Sequence, residues 1–215
     1  MTAMHLIAVN IGRPEIIPGH KAPTGICKHP AAGPVTIAPL GLEGDAVTDT
    51  KNHGGPDQAV YLYGQPDYEF FARELGREMP PGLFGENLTI AGLESGKIHI
   101  GDRFEIGGVL LEATSPRIPC ATFAARMGGD PLWVRRFQQA RRPGVYVRVL
   151  QHGPVEAGMP VRHLPFAGEQ VLTTDLIEDY KAPSPERMRW LLKAPIHRDL
   201  VAKYQARLAQ GSLPI

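Results

Sequence analysis

The stretch Lys97–Thr114, KIHIGDRFEIGGVLLEAT, carries the clearest β signal in the chain. Ile98, Ile100, Phe104, Ile106, Val109 and Leu111 flank two turn signals, Gly101-Asp102 and Gly107-Gly108. Apolar runs separated by such pairs are the pattern of strands joined by tight turns. Further strands are expected at His5–Gly12 (HLIAVNIG), weakly over Pro34–Leu40, and at Gln58–Tyr63. Val145–Leu150 and Val155–Leu164 are expected to pair around His152-Gly153-Pro154. Helices are expected over Pro66–Leu75, stopped by Gly76, as a turn over Thr122–Met127, and from Asp130-Pro131 through WVRRFQQARR, with Asp130 as N-cap. Residues 1–165 thus predict a β-rich barrel or curled sheet with two or three helices on its rim.

Past Pro165 the texture changes. Residues 166–215 hold three helical patterns separated by prolines: Thr174–Tyr180, Pro185–Lys193 behind a Ser184 N-cap, and Pro195–Gln210 stopped by Gly211. Leu200, Tyr204 and Leu208 share one face of the last. Helices this short fold poorly alone, so they are expected to form a small three-helix module docked on the barrel or binding a partner.

Composition excludes several classes. Gly 24 and Pro 21 form about a fifth of the 215 residues without a period, which excludes collagen and solenoids. Apolar residues at 43% exclude a disordered chain. A net charge of +1 argues against a dedicated nucleic-acid binder. The longest stretch without Asp, Glu, Lys or Arg, His29–Leu42, is broken by prolines and cannot span a bilayer. The N-terminus lacks the basic and apolar regions of a signal peptide, and two cysteines 93 positions apart suit a reducing cytoplasm. Motifs of CxxC, HExxH, GxGxxG and GxSxG type are missing, and Gly92–Lys97 (GLESGK) reads as a turn rather than a phosphate loop.

Cys120 is the most informative residue. It sits in SPRIPCAT, after a strand and before a helical turn, where free N–H groups favour a thiolate. Residues 117–142 hold six arginines (117, 126, 135, 136, 141, 142) against Asp130 alone, so a thiolate and an anionic ligand would both be stabilised there. A buried, inert cysteine beside a solvated arginine face is the alternative. In KNHGGPD (51–57), Gly54 and Gly55 permit close backbone approach or positive φ. His53 either orients a ligand or is a packed, satisfied histidine. Asp45, Asp49 and Asp57 suit turns. In FGENL (84–88), Glu86 is a candidate base and Asn87 a candidate donor, or else a solvated acid and a turn cap. Lys28 is a candidate anion contact. Cys27, Trp133 and Trp190 read as packed residues.

Six segments in this order resemble the MOSC family, named for the molybdenum-cofactor sulfurase C-terminal domain, and in particular its stand-alone YiiM-like bacterial branch. They are GICKHPAAGPV (25–35), GLEGD (41–45), HGGPDQAV (53–60), GLFGENL (82–88), IGD (100–102) and PRIPC (116–120). The resemblance implies a β-barrel MOSC fold over residues 1–165 and the branch's C-terminal three-α module over residues 166–215. It implies the pyranopterin molybdenum cofactor (molybdopterin), with Cys120 as the metal ligand or persulfide carrier. Lys28, His53, Gly54, Gly55, Asn87 and Arg117 are the remaining expected cofactor contacts. It also implies reduction of N-hydroxylated compounds such as hydroxylaminopurines at Cys120; His53 and Glu86 join Cys120 in the expected catalytic set as candidate proton carriers. No flavin, haem or iron–sulfur motif is present, so a separate reductase is expected to supply electrons. A homodimer is compatible with this reading. Cys27 departs from the family pattern and leaves open a second sulfur ligand or a redox pair. A persulfide carrier without molybdenum and a non-catalytic module that recognises a phosphate-bearing partner are the competing readings.

Overall fold

A computed structural model describes residues 4–20, 22–50, 53–179 and 183–210. The expected Gly211 stop, Tyr180 at the end of one helix, and Lys51-Asn52 of the KNHGGPD stretch lie outside these residues.

Eleven strands and six helices are described, in an order that alternates short strands with rim helices. The strands are β1 (His5–Gly12), β2 (Lys28–Pro30), β3 (Val35–Ala38), β4 (Gly41–Leu42), β5 (Val60–Gly64), β6 (Leu88–Ala91), β7 (Arg103–Ile106), β8 (Val109–Ser115), β9 (Val145–Gln151), β10 (Gly153–Val155) and β11 (Val161–Leu164). The helices are α1 (Gln65–Leu75), α2 (Ala121–Arg126), α3 (Leu132–Ala140), α4 (Thr173–Glu178), α5 (Pro185–Leu191) and α6 (Arg198–Gln210).

Eight strands form one sheet in the order β11-β7-β8-β9-β5-β6-β1-β2, and β10-β3-β4 form a second. The Gly107-Gly108 turn closes the β7–β8 hairpin with Ile106 opposite Val109 and Arg103 opposite Glu112, whose side chains pair at 2.9 Å. The first half of the diagnostic stretch behaves otherwise. Ser95–Lys97 form a 3-10 turn, and His99 makes only an isolated bridge to Leu172. The cause is Asp102, whose carboxylate accepts the His99 and Phe166 N–H groups and so makes this segment a turn. The expected pairing of β9 with Val155–Leu164 also fails: that stretch divides between the end of β10 and β11, and β11 pairs with β7. β8 and β5 occupy both edges of β9, so β10 finds its partner in β3.

β5 and β6 run parallel, and α1 makes the crossover between them. The sheet curls until its margins meet: Val161 N–H bonds Met4 O, Leu6 N–H bonds Met159 O, and Gly158 N–H bonds Leu6 O. These three bonds give a barrel-like closure without a continuous strand ladder. β5 is buried along its whole length because alternate residues serve two cores. Val60 and Leu62 enter the barrel interior, while Tyr61 and Tyr63 enter an aromatic cluster under α1, α2 and α3.

Phe84 sits at the centre of that cluster, with ring centroids of Tyr63, Tyr68, Phe71, Phe123 and Phe137 at 4.6, 5.0, 5.3, 5.9 and 6.0 Å. Trp133 is buried here, as expected. α1 ends as its sequence indicates, on Gly76 with φ 62°, a left-handed cap. Asp130 accepts the Leu132 N–H at 2.9 Å, and α3 starts one residue later than expected.

α4, α5 and α6 pack on a third core with Ile100 and Val171. Ser184 caps α5 by accepting the Arg187 N–H, and Tyr204 is buried on the apolar face of α6. The junction with the barrel also has an ionic anchor. Asp57, just after the His53 turn, accepts from the Arg198 backbone N–H at 2.8 Å and its Nε at 2.9 Å, with Arg148 Nε at 3.3 Å. Asp57 is thus an anchor rather than a turn former.

Two outcomes follow from this packing. Phe84→Ala removes the centre of the aromatic cluster and should cost about 3–5 kcal/mol in urea unfolding. A loss below about 1 kcal/mol would show that the cluster closes over the gap. Asp57→Ala should selectively raise amide exchange over residues 195–210, and unchanged exchange there would show that apolar packing alone holds α6 in place.

Candidate functional site

The candidate site is a cavity of about 360 Å³ on the barrel rim, a size suited to a small organic ligand. It is lined by residues from several segments of the barrel domain. The loop after β1 contributes His20 to Ile26 in part, and the 45–49 segment contributes Asp45 and Val47. The 53–61 segment contributes His53, Gly54, Gln58 and Tyr61, and the 117–122 segment contributes Arg117, Cys120 and Thr122. Tyr146 of β9 completes one wall.

β8 ends at Ser115, and the prolines in PRIPC carry the chain to Cys120, the N-cap of α2 in extended conformation. Cys120 is half-buried and free. Burial alone would raise its pKa. The hydrogen bond from His53, the Phe123 N–H and the charge of Arg117 outweigh burial and bring it from 9.0 down to about 6. At neutral pH the side chain is a thiolate.

Arg117 is 5% exposed and spans Tyr61 and Phe123, its guanidinium carbon 5.2 and 5.1 Å from their ring centroids. Nη1 donates to Phe84 O at 2.9 Å, and Nε has no partner. No carboxylate pairs with Arg117 among the described residues. Gly85, at φ 75°, lies beside it. A Cβ there would stand 3.3 Å from Arg117 Nη1 and 2.9 Å from Ile26 Cγ1, so the GLFGENL glycine makes room for the guanidinium.

Lys28 and Asn87 line the cavity, but their donors are largely committed. Lys28 Nζ lies 2.5 Å from both oxygens of Asp45. Asn87 Nδ2 donates to Asp45 at 2.8 Å, and its Oδ1 accepts the Tyr61 N–H at 3.1 Å. Both residues brace the wall instead of presenting free charge or free donors. Asp45 is correspondingly an ion-pair centre, not an Asx turn.

The structure corrects three expectations. Glu86 is not on the cavity: it is 0% exposed, and Oε1 accepts from Tyr68, Gly82 and Thr89. Burial raises its pKa, so it is a structural acid of the aromatic cluster. Gly55 has positive φ but lies exposed and off the lining, whereas Gly54 lies on it. The arginine run does not ring the thiol. Arg117 alone of the six lines the cavity. Arg136, on α3, lies over Trp133, and the left-handed turn at Arg141 that ends the helix sends Arg141 to Glu178 and Arg142 to Asp67.

Cys27 is buried in the aromatic cluster, and burial raises its pKa. Its position fits the packed reading. Trp190 is partly buried against the third core and donates to Glu169 at 2.9 Å. Tyr61, Tyr146, Gln58 and the His20–Thr122 contact at 3.0 Å went unmarked in the sequence. The two tyrosines look there like ordinary strand residues, and His20 lies in an irregular loop.

Residues 49–162 match the MOSC domain. The chain is 38% identical over 155 residues to the uncharacterized protein YflK of Bacillus subtilis, covering 71% of this chain and 70% of that protein. It is 31% identical over 158 residues to the protein YiiM of Escherichia coli, covering 72% and 70%. The crystal structure of YiiM from Geobacillus stearothermophilus superposes with a TM-score of 0.77 at 26% identity, over 95% of this chain and 99% of that one. That of YiiM from Escherichia coli gives 0.71 at 23% identity, over 99% and 96%, a likeness of fold. With more than half its length matched to the domain and these relatives alongside, the chain belongs to the MOSC domain family.

Proposed function

We propose that this protein reduces N-hydroxylated compounds, using a pyranopterin molybdenum cofactor held at Cys120 and electrons from a separate reductase. The observation that carries the reading is the depressed thiol of Cys120, half-buried on a cavity beside an arginine with no acid partner. Free Cys27 and Cys120 suit a cytoplasmic setting. Among the described residues no helix is long and apolar enough to cross a membrane.

The residues present fit such a cofactor. Among the described residues no group of three or more His, Cys, Asp or Glu stands ready to hold a bare metal ion. A single thiolate suits a soft metal that arrives already chelated. The unpartnered Nε of Arg117 suits an anionic pendant group. When bound, the cofactor supplies two-electron redox chemistry at the metal.

The chain itself does the holding and orienting. Cys120 provides the anionic sulfur. His53 stands beside that sulfur and favours its thiolate form. Gly54, at φ 80°, would bring a Cβ to 3.1 Å from Val47, so a side chain there would crowd the wall. The Lys28–Asp45–Asn87 set cancels its own charge and leaves the field at the sulfur to Arg117.

Iodoacetamide alkylation of the cofactor-free protein should report a Cys120 midpoint near pH 6, and His53→Ala should move it upward. A midpoint near 9 in the wild type would remove the thiolate from the argument. The sign also fixes a stability trend. A thiol whose folded pKa lies below its unfolded value adds stability that is complete above pH 9 and lost as pH falls through 6. Cys120→Ser should lose that increment.

Protein purified from a molybdenum-replete host should carry about one molybdenum per chain, as is usual for a single-ligand site. Cys120→Ser should lose it. Equal molybdenum in the variant would overturn the assignment. A metal-free wild type with an adduct of about 32 Da on the Cys120 peptide would establish the persulfide carrier in its place.

A further inference from the structure

Four tyrosines belong to or pack against the aromatic cluster, and three have their hydroxyls tied to protein. Tyr61 donates to Pro143 O at 2.7 Å, Tyr63 to Arg142 O at 3.1 Å and Tyr68 to Glu86 at 2.6 Å. The hydroxyl of Tyr146 donates to no described residue. Its ring is half-buried and held against Tyr61 at a centroid distance of 4.7 Å and an interplanar angle of 31°. Tyr61 is in turn locked by its own hydrogen bond, so the Tyr146 ring is pre-oriented. Tyr146 lines the cavity and lies within electrostatic reach of both Arg117 and Cys120.

We infer that Tyr146 is a further catalytic residue of this cavity, its hydroxyl donating the proton that turns the departing oxygen of an N-hydroxylated substrate into water. The inference rests on the proposed reduction. In that reaction the N–O bond breaks, nitrogen gains an N–H bond, and the hydroxyl leaves as water. Two electrons come from the reductase. One proton goes to nitrogen from solvent and one to oxygen from Tyr146, whose phenolate regains it from solvent through the cavity mouth.

Glu86 cannot perform this step, because its carboxylate is sealed away from the cavity. A phenol is the right strength for it: its ordinary pKa of about 10 is far below the roughly 15.7 of water, so transfer to a departing hydroxide is downhill. Burial raises the Tyr146 pKa and keeps the proton in place at rest. The Arg117 charge acts in the opposite sense, steadying the phenolate that forms.

Tyr146→Phe deletes only the hydroxyl and keeps the stack on Tyr61. In molybdenum-loaded protein with reduced methyl viologen as donor, it should slow turnover of an N-hydroxylated base by about a hundredfold, the usual worth of a general acid. Turnover of the O-acetylated substrate, whose acetate leaves without a proton, should fall less than about threefold. In cofactor-free protein the alkylation midpoint of Cys120 should stay where it is in the wild type. An unimpaired variant overturns the inference, as does equal impairment on both substrates. A midpoint displaced by about one pH unit or more also overturns it, since the tyrosine would then act through the thiolate. A loaded wild type that turns over neither substrate overturns the proposed reduction and this step together. Normal wild-type turnover with an unimpaired variant overturns this step alone.

Discussion

One buried carboxylate holds the site together. Asp45 accepts from the Lys28 ammonium on both of its oxygens at 2.5 Å, from the Gly12 N–H at 2.7 Å and from Asn87 at 2.8 Å. These partners come from the end of β1, the start of β2 and the approach to β6. Burying an ammonium and a carboxylate is costly unless they meet with good geometry and further hydrogen bonds, and here both conditions hold. The consequence reaches beyond stability. Because Lys28 and Asp45 cancel, the remaining fixed cation among the described residues of the cavity is Arg117, and its field falls on Cys120 without competition from that pair.

Arg117 in turn depends on small residues. Gly85 leaves the space its Nη1 occupies, and Gly25 lets the chain pass the Ala46 carbonyl, where a Cβ would lie 1.9 Å away. The short glycine-bearing motifs along the chain are therefore close-approach devices. GICK sets the loop against the 45–49 segment, GLEGD supplies the carboxylate, and GLFGENL supplies the gap for the guanidinium and the amide that braces Asp45. A catalytic reading of Glu86 within the last motif fails for a reason of direction. Adjacent residues on an extended chain point to opposite sides, so with Asn87 on the cavity, Glu86 turns into the aromatic cluster.

Much of the fold was legible because its signals are local. The span of β1, the end of α1 and the start of α5 follow from alternation, helical spacing and caps. Cys120 was legible for the same reason: a strand, two prolines and a helical turn in succession place a side chain at a rim. What escaped depends on edges and directions that a single segment does not contain. Val155–Leu164 looked like the partner of β9 until both edges of β9 proved taken. The six arginines looked like one charged patch, yet Arg136 on α3 lies over Trp133, while Arg141 and Arg142, past the end of that helix, turn to Glu178 and Asp67. Tyr61 and Tyr146 were invisible because a β-strand tyrosine carries no local mark of which face opens on a cavity.

The C-terminal helices bear on the site through the same logic. Asp57 belongs to the HGGPD segment that carries His53, and its carboxylate is bound by α6 through Arg198 and by β9 through Arg148. Its carbonyl accepts the Thr114 hydroxyl at 2.5 Å, and the Thr114 carbonyl accepts the His197 N–H. Thr114 lies on the strand that leads to Cys120. The two partners of the thiolate hydrogen bond, His53 and Cys120, thus hang from segments that one helix entrance grips at adjacent points. Two loops with glycines and prolines at their bends would otherwise drift independently, and a hydrogen bond between them would cost the entropy of ordering both. Gripping both from a common element removes much of that cost before any ligand arrives. Pre-ordering of this kind lets a half-exposed sulfur keep a fixed donor and a low pKa at the same time.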